Sequence, residues 1–282
     1  MKISNNVQAL KAYRNLTANQ LNVKTTMDKL SSGQKINRAA DDAAGLAISE
    51  KMRNRLQALD KAEQNVLDGI SMVQTLEGGM NETHSLLQRM RELAVQAGNG
   101  TLAPEDRSSI QSEIDQLTNE VTRIAKTTQF NGKDILTGDF GEGKSALFIQ
   151  TNAGANEGIS VTVEDMRALA LGISTTTAPA TGSVAMTETS GTTEYALSVM
   201  SSESASTAIT LYTKAIDNVS NQRAKLGAIQ NRFEATNSVL SISRENLTAS
   251  ESRIRDTDMA REMMEYAKYN ILNQSGMAMI AQ

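Results

Sequence analysis

The sequence predicts a mainly α protein, in which the N- and C-terminal regions form long antiparallel coiled-coil helices and a small mid-chain portion contains β-hairpins. Three observations support this fold class. The only prolines among the 282 residues are Pro104 and Pro179, so both ends can form continuous helices. Apolar residues recur at the coiled-coil spacing in both ends. Short runs of β-branched residues are confined to the middle of the chain.

The N-terminal half contains a long row of apolar residues that starts at Ile48. The row advances by alternating steps of three and four, averaging about 3.5 residues, which is the period of a coiled coil. The glycines and asparagine at 98–100 end this helix. Pro104 and Glu105 then start another, because proline suits the first helical position and acids favour the helix dipole there. We expect this second helix to fold back antiparallel on the first.

A third helical row returns near Ala208, and its apolar residues recur every seven positions from Val219 to Ile254. Its alternate seam positions become polar towards the end, so the distal part needs a partner helix to be stable. The predicted coiled-coil seam comprises Ile48, Met52, Leu56, Leu59, Val66, Ile70, Val73, Leu76, Val219, Leu226, Phe233, Leu240, Leu247 and Ile254.

The middle of the chain has a different pattern. Residues 146–149 and 159–163 are short runs rich in β-formers, separated by Gly and Asn, which predicts a hairpin. Residues 174–206 are dominated by Ser, Thr, Ala and Gly and contain few core-forming residues. We expect this Ser/Thr-rich segment to form either a loose surface excursion or a small polar domain.

Composition excludes several classes of function. The chain has no cysteine and a single histidine, His84, so disulfides, thiolate nucleophiles and most metal sites are not expected, and no cofactor is indicated. The net charge of −4 argues against nucleic-acid binding. No apolar run is long enough for membrane insertion. A basic, acid-poor N-terminus is also typical of mitochondrial transit peptides, but this one is rich in Lys and Asn rather than Arg and Ser.

The strongest enzyme signal is GDFGEGKS at residues 138–145, which matches the phosphate-loop pattern at every fixed position. A phosphate loop must open a helix, whereas the residues after it alternate like a strand. Asp139 and Glu142 would also repel an anion. A glycine-rich hairpin loop is the favoured interpretation, and nucleotide binding through Lys144 is the alternative.

Two other features have ordinary structural interpretations. His84 lies beside the helical row and is expected at the surface or the seam edge. The methionines at 259, 263, 264, 277 and 279 suit either a helix-packing surface or an adaptable target-binding face, and we favour packing.

Four stretches, in order and at family-like spacing, resemble bacterial flagellin. They are SGQKINRAADDAAGL at 32–46, LQRMRELAVQ at 87–96, QFNG at 129–132 and LGAIQNR at 226–232. The resemblance covers residues 1–137 and 208–282 and leaves out the middle.

The resemblance implies a layered organisation of the chain. Residues 1–45 and 246–282 are expected to form the N- and C-terminal parts of an inner coiled-coil layer. Residues 46–173 are expected to form core rods with β-hairpins, 174–206 the surface segment, and 207–245 the C-terminal core helix. In the family the terminal segments are disordered in the free monomer and fold on assembly, so the same behaviour is expected here.

The resemblance also implies a non-enzymatic structural subunit that self-assembles into the flagellar filament for swimming motility. Its implied partners are other flagellin copies, the flagellar cap and hook-associated proteins, and an export chaperone at the C-terminal region. Its implied location is extracellular, reached without a cleaved signal peptide. A hook–filament junction protein is the alternative within the same machine, and a nucleotide hydrolase is the alternative outside it.

Flagellins of this type are detected by a host Toll-like receptor through the first long rod. The matching residues are Arg89, Leu93 and, on the antiparallel rod, Glu113. The same three residues could equally form an ordinary subunit interface, and a surface buried in the filament would be visible only in monomers.

Overall fold

A computed structural model describes residues 7–141, 146–176, 186–187 and 193–281. These residues form five helices and seven short strands, so the mainly α fold class with small hairpins is confirmed. The helices are α1 (Val7–Ser32), α2 (Ala43–Ala97), α3 (Pro104–Thr127), α4 (Ser202–Arg255) and α5 (Met259–Ala281). The strands are β1 (Gln129–Phe130), β2 (Lys133–Asp134), β3 (Leu147–Gln150), β4 (Gly158–Val161), β5 (Ser174–Thr175), β6 (Met186–Thr187) and β7 (Thr193–Ala196).

The chain divides into two compact units. The terminal unit comprises residues 1–60 and 241–282, and the central unit comprises residues 61–240. Helices α2 and α4 supply residues to both units because each is more than fifty residues long, 55 for α2 and 54 for α4.

Helices α2 and α4 run antiparallel within each unit. In the central unit Glu77 forms an ion pair with Arg223, at 3.7 Å. In the terminal unit Asp60 pairs with Arg244 at 3.1 Å, and Glu50 pairs with Arg255 at 2.6 Å. Partner numbers on α4 rise as those on α2 fall, which is the signature of an antiparallel pair.

Helix α3 begins at Pro104, as its sequence predicts. The Asp106 carboxylate accepts a hydrogen bond from the backbone N–H of Ala103 at 3.3 Å, which satisfies a donor that the first helical turn leaves free. Near its N-terminal half α3 contacts α2 through the pair Arg89 and Glu113. At its other end Thr128 lies beside Gly79, so α3 folds back antiparallel on α2 as expected.

Three small antiparallel sheets follow α3. Strands β1 and β2 form a hairpin, whose two turn residues, Asn131 and Gly132, have positive φ values of 50° and 72°. An Asn-Gly pair is the preferred sequence for such a turn. Strands β3 and β4 pair from Leu147–Val161 to Gln150–Gly158, which confirms the predicted hairpin. Strand β7 lies between β5 and β6 in the third sheet.

The central unit contains a close-packed core of aliphatic residues. Side chains from α2, α3 and α4 are 0% exposed at Leu76, Met80, Val121, Tyr212 and Phe233. At Gly69 the chains approach closely, since a Cβ added there would lie 2.8 Å from Ile149 Cδ1 and 3.3 Å from the Phe233 ring. A larger residue at 69 would therefore require the Ile149 side chain to move and would press against the Phe233 ring.

Candidate functional site

The two terminal helices pack against each other in the terminal unit. Near the end of α5, a Cβ added at Gly276 would lie 3.3 Å from Leu16 Cδ1 of α1. At the other end of the pair, Gln34 forms an isolated antiparallel bridge with Asp256. The pair is therefore antiparallel, and glycine at 276 leaves room for the Leu16 side chain of α1.

Helix α5 exposes its large apolar side chains and buries polar ones. Glu262 is only 7% exposed, and neither its Oε1 nor the Oδ1 of Asn273 has a hydrogen-bond partner among the described residues. Apolar side chains on its open sides are 40–73% exposed: Met259, Met263, Met264, Ile271, Leu272, Met277, Met279 and Ile280.

Helix α1 shows the same inversion. Thr26 is its one buried residue, whereas its large apolar side chains are 54–63% exposed at Val7, Leu10, Tyr13, Leu21 and Met27. So many large exposed apolar side chains on one pair of helices indicate a surface that another protein covers. The paired helices α1 and α5 are therefore the first candidate site, which we name the terminal helix pair.

Arg255 joins the two linkers that lead into the terminal helix pair. Its guanidinium donates to Gln34 Oε1 at 3.1 Å and to Glu50 Oε1 at 2.6 Å. Its backbone carbonyl accepts a hydrogen bond from Lys35 N at 2.6 Å, and Thr257 N donates to Gly33 O at 3.1 Å. The hydrogen bond from Arg255 lowers the pKa of the Glu50 carboxyl below its ordinary value. We call these contacts the linker clamp.

The predicted seam residues differ in burial between the two units. In the central unit the seam is buried at Val66, Val73, Leu76, Val219, Leu226, Phe233 and Leu240, and Ile70 is half-buried. In the terminal unit only Leu59 is buried, Ile48 is 48% exposed, and the others are half-buried: Met52, Leu56, Leu247 and Ile254. The same heptad spacing thus accompanies a closed core in one unit and a partly open seam in the other.

Arg89 and Glu113 lie together on the surface of the central unit. Arg89 Nε donates to Glu113 Oε1 at 3.0 Å, and Arg89 Nη2 lies 2.9 Å from the same oxygen. Glu92 approaches Arg89 Nη1 at 3.6 Å. The hydrogen bond to Glu113, and then its charge, raise the pKa of the Arg89 guanidinium. Leu93 is placed differently, because its side chain is only 2% exposed and packs into the core.

The phosphate-loop match does not have the structure that nucleotide binding requires. Residues 142–145, which include Lys144, lie outside the described part of the chain. Downstream of them, Leu147–Gln150 form strand β3, whereas a phosphate loop opens a helix. Gly138 has a φ of 76°, and the N–H of Gly141 donates to its carbonyl at 3.3 Å, so the described half of the match is a tight turn.

The described residues contain neither a metal-binding cluster nor a membrane-spanning helix. Within 7–141, 146–176, 186–187 and 193–281, no three His, Cys, Asp or Glu side chains are grouped so that they could hold a metal ion. None of the helices in these ranges combines the length and the apolar character needed to cross a membrane. His84 is half-buried on α2, with its Nε2 2.9 Å from Gln88 Nε2.

Comparison with protein families gives two matches that follow the architecture described above. Residues 3–140 match the bacterial flagellin N-terminal helical region, and residues 209–282 match the bacterial flagellin C-terminal helical region. The chain belongs to the bacterial flagellin family. As a flagellin, it is a structural subunit of the bacterial flagellar filament.

Curated flagellins are similar over the whole chain. Flagellin of Bacillus subtilis is 48% identical, over all of this chain and 96% of that protein. The flagellar filament 30.7 kDa core protein of Treponema maltophilum is 45% identical, over all of this chain and 95% of that protein. Since these relatives are named flagellin and flagellar filament core protein, the hook–filament junction alternative is less well supported.

Solved structures share the fold. The crystal structure of Bacillus cereus flagellin is similar with a TM-score of 0.50 and 26% identity, covering 62% of this flagellin and 88% of that chain. A flagellar hook-associated protein from Vibrio parahaemolyticus has a TM-score of 0.56 at 11% identity, covering 77% of this chain and all of that one. At that identity the second likeness concerns the fold alone.

The sequence did not predict two long-range polar contacts of this flagellin. The linker clamp at Arg255 joins residues 221 positions apart, from Gln34 to Arg255, and no local pattern marks it. Gln111 is the second, a buried side chain that accepts from Val199 N at 2.8 Å and donates to Leu197 O at 3.1 Å. In the sequence Gln111 is one polar residue next to the apolar Ile110, which does not mark it as buried.

Proposed function

We propose that this flagellin assembles through the terminal helix pair, whose open apolar sides pack against the same helices of neighbouring copies. The observation that carries the proposal is the inverted burial of α5, which keeps Glu262 inside while Met263 and Met264 are 56% and 68% exposed. Burial of apolar surface drives association at about 25 cal/mol per Å² removed from water. A free subunit leaves that surface in water, and a polymer removes it.

The proposed role is mechanical. The central unit supplies a close-packed body, with Leu76, Met80 and Phe233 fully buried, and we propose that it carries load between copies while the terminal helix pair makes the inner contacts. No step in this role needs a chemical reaction, so we propose that the protein is not an enzyme. The domain ranges expected from the sequence, with 1–45 and 246–282 as the inner layer, are part of the same proposal.

Polymerisation of the purified chain tests the assembly proposal. We expect long filaments by electron microscopy and pelletable polymer by sedimentation when the protein is shifted to polymerising conditions. Ile271→Asp on α5 places a charge on a side chain that is 64% exposed, and should abolish polymer without unfolding the monomer. Val239→Asp is the matched control, since Val239 is 60% exposed on α4 in the central unit. Equal polymer from wild type and Ile271→Asp would contradict the proposal.

We further propose that the chain acts outside the cell as part of the flagellum, with the flagellar cap and hook-associated proteins as partners at the filament ends. We also propose that an export chaperone binds the C-terminal region, because α5 exposes large apolar side chains. The exposed apolar side chains of α5 would otherwise associate prematurely at cytosolic concentrations. Co-purification of the chaperone with the chain, lost on Ile271→Asp, is the expected result.

Recognition by a Toll-like receptor is proposed at the Arg89–Glu113 pair. Both side chains are accessible, at 53% and 44% exposure, and their charges are available to a partner surface. Buried Leu93 would act by holding α2 against the core beneath the pair. We expect Arg89→Ala to weaken receptor signalling at unchanged thermal stability, and Leu93→Ala to lower thermal stability as well.

The control variant for receptor recognition is Arg123→Ala, because Arg123 forms a similar exposed pair with Glu120 on α3. Wild-type signalling by the double variant Arg89→Ala, Leu93→Ala would reject the receptor proposal. The filament proposal is independent of that outcome, since it rests on α5.

A further inference from the structure

The fourteen methionines of the chain include two groups with opposite accessibility. In the central unit Met72, Met80, Met90 and Met166 are at most 3% exposed. On α5 the side chains of Met259, Met263, Met264, Met277 and Met279 are 47–73% exposed. Susceptibility of a thioether to oxidants follows its exposure, so these two groups should react at very different rates.

We propose that the α5 methionines are an oxidation site, at which a peroxide-class oxidant converts thioethers to sulfoxides in the unassembled subunit and thereby blocks assembly. The inference rests on the proposed assembly through the terminal helix pair. In the reaction, the methionine sulfur attacks one peroxide oxygen, the O–O bond breaks, and an S–O bond forms. The sulfur loses two electrons and the peroxide gains them. When the oxidant is hydrogen peroxide, its second oxygen leaves as water.

Oxidation blocks assembly because the α5 surface must be buried against another copy. The open sides of α5 are apolar because of Ile271, Leu272 and the five methionines, and contact with another copy removes them from water. A sulfoxide is a strong hydrogen-bond acceptor, and burying it among apolar side chains leaves it without a donor. One such group raises the critical concentration for polymerisation by about ten-fold or more.

Assembly should protect the same residues, because the contacts that bury α5 also exclude the oxidant. The site therefore distinguishes free subunits from polymer. Since methionine sulfoxide reductases reverse the modification, an oxidised subunit can regain the ability to assemble.

The first experiment maps oxidation. Purified monomer and filament are treated with hydrogen peroxide, quenched with catalase and analysed by peptide mass spectrometry. In the monomer we expect the α5 methionines to be oxidised at least about ten-fold faster than Met72, Met80, Met90 and Met166. In the filament we expect the α5 rates to fall to those of the buried group. Equal rates for the two groups in the monomer would overturn the proposal.

The second experiment tests the consequence. A variant with the five α5 methionines and Met27 replaced by leucine keeps the apolar surface but removes the exposed thioethers described on the terminal helix pair, and should polymerise after peroxide treatment. Met27→Leu is the matched control, because Met27 is 59% exposed on α1, and this variant should lose polymerisation like wild type. Peroxide inhibition that persists in the leucine variant would overturn the proposal, as would failure of methionine sulfoxide reductases to restore wild-type assembly.

A measurement on wild type covers the case in which the leucine variant does not assemble untreated. Partly oxidised monomer is polymerised and sedimented, and sulfoxide at each methionine is compared between pellet and supernatant. We expect α5 sulfoxide to be enriched in the supernatant, and equal distribution would count against the proposal. If untreated wild type forms no polymer, the assembly proposal fails, whereas the oxidation rates in the monomer can still be read.

Discussion

At the scale of single residues, the central unit combines a tight aliphatic core with a small number of buried polar groups. Phe233 is fully buried against Gly69, and Tyr212 of α4 is also fully buried. Gln111 connects α3 to the backbone at 197–199. Its side-chain amide donates to the carbonyl of Leu197 and accepts from the N–H of Val199, as the backbone of a neighbouring strand would. Each of these residues fixes one element against another by a different interaction.

Replacing Phe233 by alanine should be among the most destabilising single changes in the chain. The ring is 0% exposed, and its removal leaves a cavity between α4 and Gly69 on α2. We expect the free energy of unfolding to fall by about 3–5 kcal/mol, measured by urea denaturation. Val239→Ala, on the same helix but 60% exposed, should change it by less than about 0.5 kcal/mol. Similar losses for the two variants would show that the core is not centred on Phe233.

Tyr212 should make the central unit sensitive to alkaline pH. Its hydroxyl has no hydrogen-bond partner among the described residues, and burial, with a smaller effect of Asp115, raises its pKa above the ordinary value of 10.0. The folded state therefore holds this proton more tightly than the unfolded state. Its contribution to stability is complete below pH 10 and is lost as pH rises above that value.

The variant Tyr212→Phe removes both the proton and the unpartnered hydroxyl. At pH 7 we expect its free energy of unfolding to equal that of wild type or exceed it by about 1 kcal/mol, because no hydrogen bond is lost. From about pH 9 to about pH 11, roughly one unit on either side of the ordinary tyrosine pKa, its free energy of unfolding in urea titrations should fall less than that of wild type. Identical alkaline profiles would assign the loss to other groups.

At the scale of elements, the linkers at 33–42 and 256–258 are joined to each other by the linker clamp. Arg255 is only 9% exposed, and it holds both a neutral amide, Gln34, and a carboxylate, Glu50. Backbone hydrogen bonds donated by the N–H groups of Lys35 and Thr257 also connect the two linkers. The two terminal helices therefore leave the rest of the terminal unit from one fixed junction rather than from two independent linkers.

Removing the clamp should loosen both linkers together. A hydrogen bond to a charged group contributes about 1.5–3 kcal/mol, so in Arg255→Ala the amides of Lys35 and Thr257 should exchange with solvent at least about ten-fold faster. Arg253→Ala is the control, since Arg253 is exposed and contacts Ser250 of its own helix. Hydrogen exchange with mass spectrometry measures the difference. Faster exchange of one linker without the other would show that the clamp does not couple them.

At the scale of the whole molecule, the two units differ in how completely they bury their own seam. The central unit closes its seam internally, whereas the terminal unit leaves Ile48 48% exposed and buries only Thr26 of α1. Ordering a residue costs about 1–2 kcal/mol of backbone entropy, which partly open helices offset poorly. We therefore expect the stability of the terminal unit to depend on neighbouring copies.

Proteolysis of monomer and polymer should show this dependence. In the monomer we expect early cleavage within residues 1–60 and 241–282, leaving a fragment close to 61–240. In the polymer the same sites should be protected, because contacts between copies stabilise the terminal helix pair. Equal cleavage of both states, followed by gel electrophoresis and mass spectrometry, would contradict assembly-coupled ordering.

The sequence by itself determined the start of α3 at Pro104, the apolar row of α4 from Val219 to Ile254 and the hairpin of β3 with β4, because proline, β-branched runs and heptad spacing act locally and leave a readable pattern. It also determined the family, through four ordered motifs. Tertiary structure alone decided that Arg89 meets Glu113 while Leu93 is buried, that Arg255 reaches Gln34, and that α5 faces outward with its methionines. These features depend on which helix faces meet across long separations in the chain, and heptad periodicity specifies that a stripe is apolar without specifying what covers it.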